Sequence, residues 1–65
     1  MKLTKRQKEF VSAVVKGASN KEIARSLSVC EGTVKMTLHL MYERFGVRNR
    51  MELAMKYVEH HRNSE

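Results

Sequence analysis

The run Ser19-Asn20-Lys21-Glu22-Ile23-Ala24-Arg25-Ser26-Leu27-Ser28-Val29-Cys30-Glu31-Gly32-Thr33-Val34-Lys35 constrains this chain more than any other stretch. Ser19 with Glu22 forms a capping box that opens a short helix, and Ile23, Ala24 and Leu27 supply its inward face. Ser28-Val29-Cys30 then makes a tight turn, with Val29 pinning it into the core. A second helix follows, and its outward face is polar and basic. That is the layout of a helix-turn-helix, in which the second helix enters the DNA major groove.

The flanking sequence predicts two more helices. Thr4 with Gln7 is a capping box for the first, along which Phe10, Val11, Val14 and Val15 recur at helical spacing. The third helix, from about Glu31 to Phe45, carries Val34, Leu38, Met41 and Phe45 as a single stripe. Gly17 and Gly46 each follow an apolar-periodic segment, where a left-handed helix end wants glycine. Asn49 with Glu52 looks like a third capping box, opening helix four toward His60. No strand pattern occurs, so the fold class is all-α, a four-helix (tetrahelical) helix-turn-helix domain with helix three as recognition helix. Residues 1–65 form one domain with its core at about 3–60, and residues 62–65 are expected to fray.

A chain of 65 residues buries only about 60% of the surface its unfolded form exposes. It cannot wall a catalytic cleft, and no nucleophile has a base at credible spacing, so an enzyme is discounted. The 13 Lys and Arg against 7 Asp and Glu give a net charge of +6, which suits a polyanionic partner. One Cys excludes a disulfide framework and a multi-cysteine zinc site. His39 and the adjacent His60 and His61 do not make a metal site, because neighbouring histidines point to different helix faces. No cofactor, small-molecule ligand or membrane span is implied, and a reduced, cytoplasmic setting is the default.

On a helical wheel Gly32, Lys35, Met36 and His39 share the face opposite the Val34/Leu38/Met41 stripe. There Lys35 can donate to guanine or phosphate, Met36 can touch a thymine methyl, and His39 can bond a base or phosphate. Gly32 removes a side chain where the helix N-terminus would approach the DNA backbone. Thr33 and Thr37 flank this face and suit phosphate contacts, as do Lys21, Arg25, Lys5 and Arg6 on the preceding helices. The alternative is a solvated face with ordinary surface charge. Helix four carries more apolar residues than one core contact needs, and Met51, Met55 and Val58 are left for a second surface. Two copies joined there would present two recognition helices to two half-sites. The alternative is a helix wrapped deeply by a small domain. Cys30 stands where a Ser cap would start helix three, and its sulfur caps poorly. A small turn residue accounts for it better than a redox switch.

Leu3-Thr4-x-Arg6, Val15-x-Gly17-x-Ser19-Asn20-Lys21-Glu22-Ile23-Ala24, Glu31-Gly32-Thr33-Val34-Lys35 and Gly46-Val47-x-Asn49-Arg50-x-Glu52 together resemble the LuxR-type (GerE/FixJ-type) DNA-binding domain of bacterial transcription regulators. The likeness runs from Leu3 to Tyr57. It implies a third helix that reads the major groove, a fourth that dimerises, and contact with RNA polymerase in some members. By position, Lys35, Met36 and His39 match the family's base- and backbone-contacting sites, while Thr33 and Lys21 match phosphate or helix-end positions. Four residues depart from the pattern: Cys30 for Ser, Thr37 for a frequent His, Leu40 for a polar residue and Glu43 for a basic one. These departures imply an unusual target, weaker DNA binding, or a second surface that meets protein. Most members join this module to a receiver or ligand-binding domain, and neither fits within 65 residues.

The expectation is a double-stranded DNA-binding transcription regulator acting in the bacterial nucleoid, bound to a two-fold-related site as a homodimer. The competing expectation is a protein-interaction module that uses Met36, Leu40 and the helix-four methionines to bind another regulator or RNA polymerase.

Overall fold

The structure, a computed structural model, describes residues 2–63. Four helices follow one another: α1 (Lys5–Val15), α2 (Asn20–Leu27), α3 (Glu31–Phe45) and α4 (Arg50–Asn63). Among the described residues there is no strand, and no helix is long and apolar enough to cross a membrane. Helix α1 packs against α4, α2 against α3, and α3 also against α4.

The stripes read from the sequence meet in one core. Phe10, Val11 and Val14 of α1, Ile23 and Ala24 of α2, Val34, Leu38 and Met41 of α3, and Leu53 of α4 are all buried. Burying one such large side chain fully is worth about 1.5–3 kcal/mol, so these few residues carry most of the cohesion. Phe45 ends the α3 stripe half-buried, with the Arg44 guanidinium 5.7 Å from its ring centre. Val15, expected with the inward residues of α1, is the last residue of that helix and is 40% exposed.

Both expected capping boxes at α1 and α2 form. Thr4 Oγ1 accepts from the Gln7 N–H and Gln7 Oε1 accepts from the Thr4 N–H. Ser19 and Glu22 make the same reciprocal pair. At α4 the pairing differs by one residue. Asn49 Oδ1 accepts from the Glu52 N–H at 2.9 Å, but the Glu52 carboxylate accepts from Arg48 N–H at 2.8 Å, one residue upstream of the expected partner.

Helices α1, α2 and α3 all close through a backbone bond from the residue after a left-handed position to a carbonyl five back. These are Ala18 N–H to Ala13 O, Val29 N–H to Ala24 O, and Val47 N–H to Tyr42 O. The left-handed residues are Gly17, Ser28 and Gly46, and the apolar residue after each packs onto the core, which completes a Schellman end. Helix α4 continues past the His60 end expected for it, so residues 62 and 63 are helical rather than frayed. The remainder of the expected fray, residues 64–65, lies outside the described residues.

Candidate nucleic-acid interface

Because Val34, Leu38 and Met41 face the core, the opposite side of α3 must face solvent. Gly32, Lys35, Met36 and His39 are all exposed there, Met36 to 67%. A Cβ added to Gly32 would meet nothing within 4 Å, so the fold itself does not require glycine at this position. Thr33 is exposed in the first turn. Thr37 is half-buried and lines a cleft with Gln7, Leu40, Met41 and Arg44, which turns it toward α1. Leu40 is 57% exposed beside it, and Glu43 is exposed one turn further on.

The basic candidates on α1 and α2 separate into different settings. Lys21 and Arg25 are exposed on α2, the helix packed against α3. Lys5 lines the groove between α1 and α2 together with Lys8, Lys16 and Glu22, away from the α3 face. Arg6 has a role inside the fold. Its guanidinium donates to the Leu27 carbonyl at 3.0 Å and lies 5.9 Å from the Phe10 ring centre. It thereby satisfies a carbonyl at the end of α2 that the helix leaves open. The Glu22 carboxyl is held below its usual 4.5, chiefly by hydrogen bonding to the Ser19 backbone and side chain, with Arg25 adding a smaller attraction.

Two cations that position this face were not singled out from the sequence. Arg50 is half-buried and donates to Asn20 Oδ1 at 2.7 Å and to the Ala18 carbonyl at 2.8 Å, tying the start of α4 to the start of α2. Its signal was legible: a cation in the first turn of a helix opposes the helix dipole, so it needs partners elsewhere. Lys56 Nζ donates to the Phe45 carbonyl at 2.7 Å and so closes the end of α3.

On α4, Leu53 is buried while Ala54 and Tyr57 pack half-buried against the core. Met51 and Met55 stay 71% and 62% exposed, with Val58 at 41%, one turn apart along a single stripe. His61 stacks on Tyr57 with ring centres 5.9 Å apart. Among the described residues no group of His, Cys, Asp or Glu is arranged to hold a metal ion.

A helix-turn-helix whose third helix exposes Lys35, Met36 and His39 opposite its buried stripe defines the class of a DNA-binding domain. The profile described as "Bacterial regulatory proteins, luxR family" (GerE) matches residues 1–57. The chain belongs to this family. It is 46% identical over 50 residues to the CsgBAC operon transcriptional regulatory protein of Escherichia coli (strain K12), a match covering 77% of this chain and 23% of that protein. It is 43% identical over 54 residues to the monoamine regulon transcriptional regulator of Klebsiella aerogenes, covering 83% and 24%. With the transcriptional regulatory protein DesR of Bacillus subtilis (strain 168) it shares 42% identity over 57 residues, covering 88% and 29%. The chain thus spans about a quarter of the length of these curated relatives. At the threshold these relatives pass, no solved structure matches the chain.

Proposed function

We propose that this chain is the DNA-reading part of a bacterial transcription regulator, laying α3 in the major groove of a specific duplex site. The observation that carries this reading is the sorting of α3 into two faces. Val34, Leu38 and Met41 are buried on one, and Lys35, Met36 and His39 are exposed on the other. Lys35 donates to a guanine edge or a phosphate, Met36 meets a thymine methyl, and His39 bonds a base or a phosphate. Gly32 lets the helix start approach the DNA backbone, and Thr33, Thr37, Lys21 and Arg25 hold phosphates. Lys5 takes a phosphate only where the duplex reaches the α1–α2 groove.

The exposed Met51/Met55/Val58 stripe supports a homodimer through α4, which would set two recognition helices on a two-fold-related site. The setting is the bacterial cytoplasm. Exposure of Leu40 and of the α4 methionines favours a second reading, a module that meets another regulator or RNA polymerase with DNA secondary.

Selection of sites from a random duplex library at near-physiological salt tests the proposal. An enriched two-fold motif is the expected result. Binding seen only at low salt, without enrichment, would favour the protein-interaction reading, because charge attraction alone falls away steeply with salt. Lys35→Ala is expected to weaken the selected site by about 1–3 kcal/mol; equal binding by variant and parent would refute the assigned face.

A further inference from the structure

Two large apolar side chains stand on the outward face of α3. Met36 is 67% exposed and Leu40 57% exposed, and a spacing of four residues puts one above the other. Neither serves the core, which α3 supplies through Val34, Leu38 and Met41. Met36 shares its face with Lys35 and His39, and Leu40 extends that face as a ridge toward the cleft it lines with Thr37, Gln7 and Arg44. The major groove offers one apolar group to such a ridge, the thymine 5-methyl, which distinguishes thymine from every other unmodified base.

We infer that Met36 and Leu40 together form a methyl-reading ridge, with Leu40 as a specificity-determining residue for thymine in the target site. This inference rests on the DNA reading proposed above. Along a helix axis the pair is separated by about 6 Å, from a rise of about 1.5 Å per residue. Base pairs lie about 3.4 Å apart. A helix lying lengthwise in the groove therefore sets the two side chains over thymines roughly two steps apart. On the α1 side Leu40 itself lines a cleft with the half-buried Thr37, Gln7 and Arg44, which limits the ridge there. Exposed Glu43 bounds it toward the end of α3.

Deoxyuridine tests this directly, because it keeps every hydrogen-bonding group of thymine and lacks only the methyl. Each thymine of the selected site is replaced in turn, and affinity is measured for the parent chain, Met36→Ala and Leu40→Ala. Both side chains are exposed, and thermal melts verify that the variants stay folded. The parent is expected to lose about fourfold affinity at two thymines per half-site, the worth of one buried methyl group. Leu40→Ala is expected to abolish the penalty at one of them and Met36→Ala at the other. If specific binding is strong but no thymine-to-deoxyuridine change weakens it, the ridge does not read methyls and the inference falls while the DNA reading stands. If the penalties persist undiminished in Leu40→Ala, Leu40 is not the reader. If no site is selected at all, the DNA reading fails and the ridge belongs to a protein contact.

Discussion

Replacing Cys30 with serine is expected to stabilise the domain, and the other helix starts set the size of the effect. Cys30 holds φ −79° and ψ 153°, an extended capping geometry, yet its side chain makes no hydrogen bond. Thr4 at φ −72° and ψ 166° uses the same geometry with its hydroxyl accepting from Gln7 N–H. Ser19 does likewise with Glu22 N–H at 3.1 Å. At Cys30 only the carbonyl serves the first turn, accepting from Thr33 N–H at 3.0 Å and Val34 N–H at 3.1 Å. A serine hydroxyl there would reach the Thr33 N–H. Because Cys30 is exposed, the exchange opens no cavity and buries no polar atom. Gaining an N-cap is worth about 0.5–2 kcal/mol. Thr33 occupies the position where Glu22 and Gln7 complete the other two boxes, and it cannot return the bond, so the lower half of that range applies, about 0.5–1 kcal/mol. For a domain of this size 1 kcal/mol moves Tm by about 4–8 °C, so the expected rise is roughly 2–8 °C. Thermal unfolding followed by far-UV circular dichroism, under reducing conditions, reads it out. Cys30→Ala is the control and should leave Tm within about 2 °C of the parent, since no cap is lost. A fall in Tm for Cys30→Ser, or a cap-sized fall for Cys30→Ala, would refute the reasoning by showing that the thiol already contributes.

Gly32→Ala should raise stability by up to about 1 kcal/mol, because the added methyl meets open space and alanine favours the helix. The same variant should weaken binding to the selected site; unchanged affinity would remove Gly32 from the interface. Arg50→Ala should cost about 2 kcal/mol in urea unfolding, from two charged hydrogen bonds lost at a half-buried position. Arg50→Lys should recover less than half of that, since an ammonium cannot bridge both acceptors in one plane; a loss below about 0.5 kcal/mol for the alanine variant would deny the clamp. The folded Glu22 carboxyl titrates below its unfolded value of 4.5, so its contribution is fully present above that pH and disappears as pH falls through the lower folded value. Urea midpoints of the parent and Glu22→Gln should therefore converge as the solution is acidified from neutral through that range, and a constant gap would contradict the assignment.

How far the fold was legible depended on whether its signals were local. The boxes at Thr4 and Ser19 need only residues three apart, and the stripe Val34-Leu38-Met41 needs only helical periodicity, so both could be read directly. The left-handed end of α2 could not. Its neighbours announce theirs with Gly17 and Gly46, but here Ser28 takes φ 57° with a side chain that ordinarily avoids that region. The turn and the packing of Val29 on the core were read from the sequence, but with no glycine in it nothing marked Ser28 as the left-handed residue. The α4 box slipped by one residue, since the path of Arg48 and Asn49 decides which N–H faces Glu52. The exposed α3 face was legible because it is simply the complement of the stripe. Which phosphate candidates lie near that face was not, because it depends on how the helices pack, and Lys5 lines the α1–α2 groove.

The net charge of +6 does not say which cations are free to reorient toward a polyanion, because several already serve the fold. Arg6 closes α2, Lys56 closes α3 and Arg50 joins the start of α4 to the start of α2. Each bonds acceptors that would otherwise depend on water, and each is anchored by a helix end rather than by a surface pair. Such cations keep their charge but are oriented by the helix ends they bond, whereas Lys21 and Lys35 stand exposed on the helix-turn-helix itself. Composition treats the two groups alike; the helix ends separate them. The face of α3 then has few charges to anchor a duplex and two large apolar side chains among them. That balance favours a regulator whose selectivity comes from base edges and methyl groups more than from phosphate attraction, with Lys35 and the Met36/Leu40 ridge at its centre.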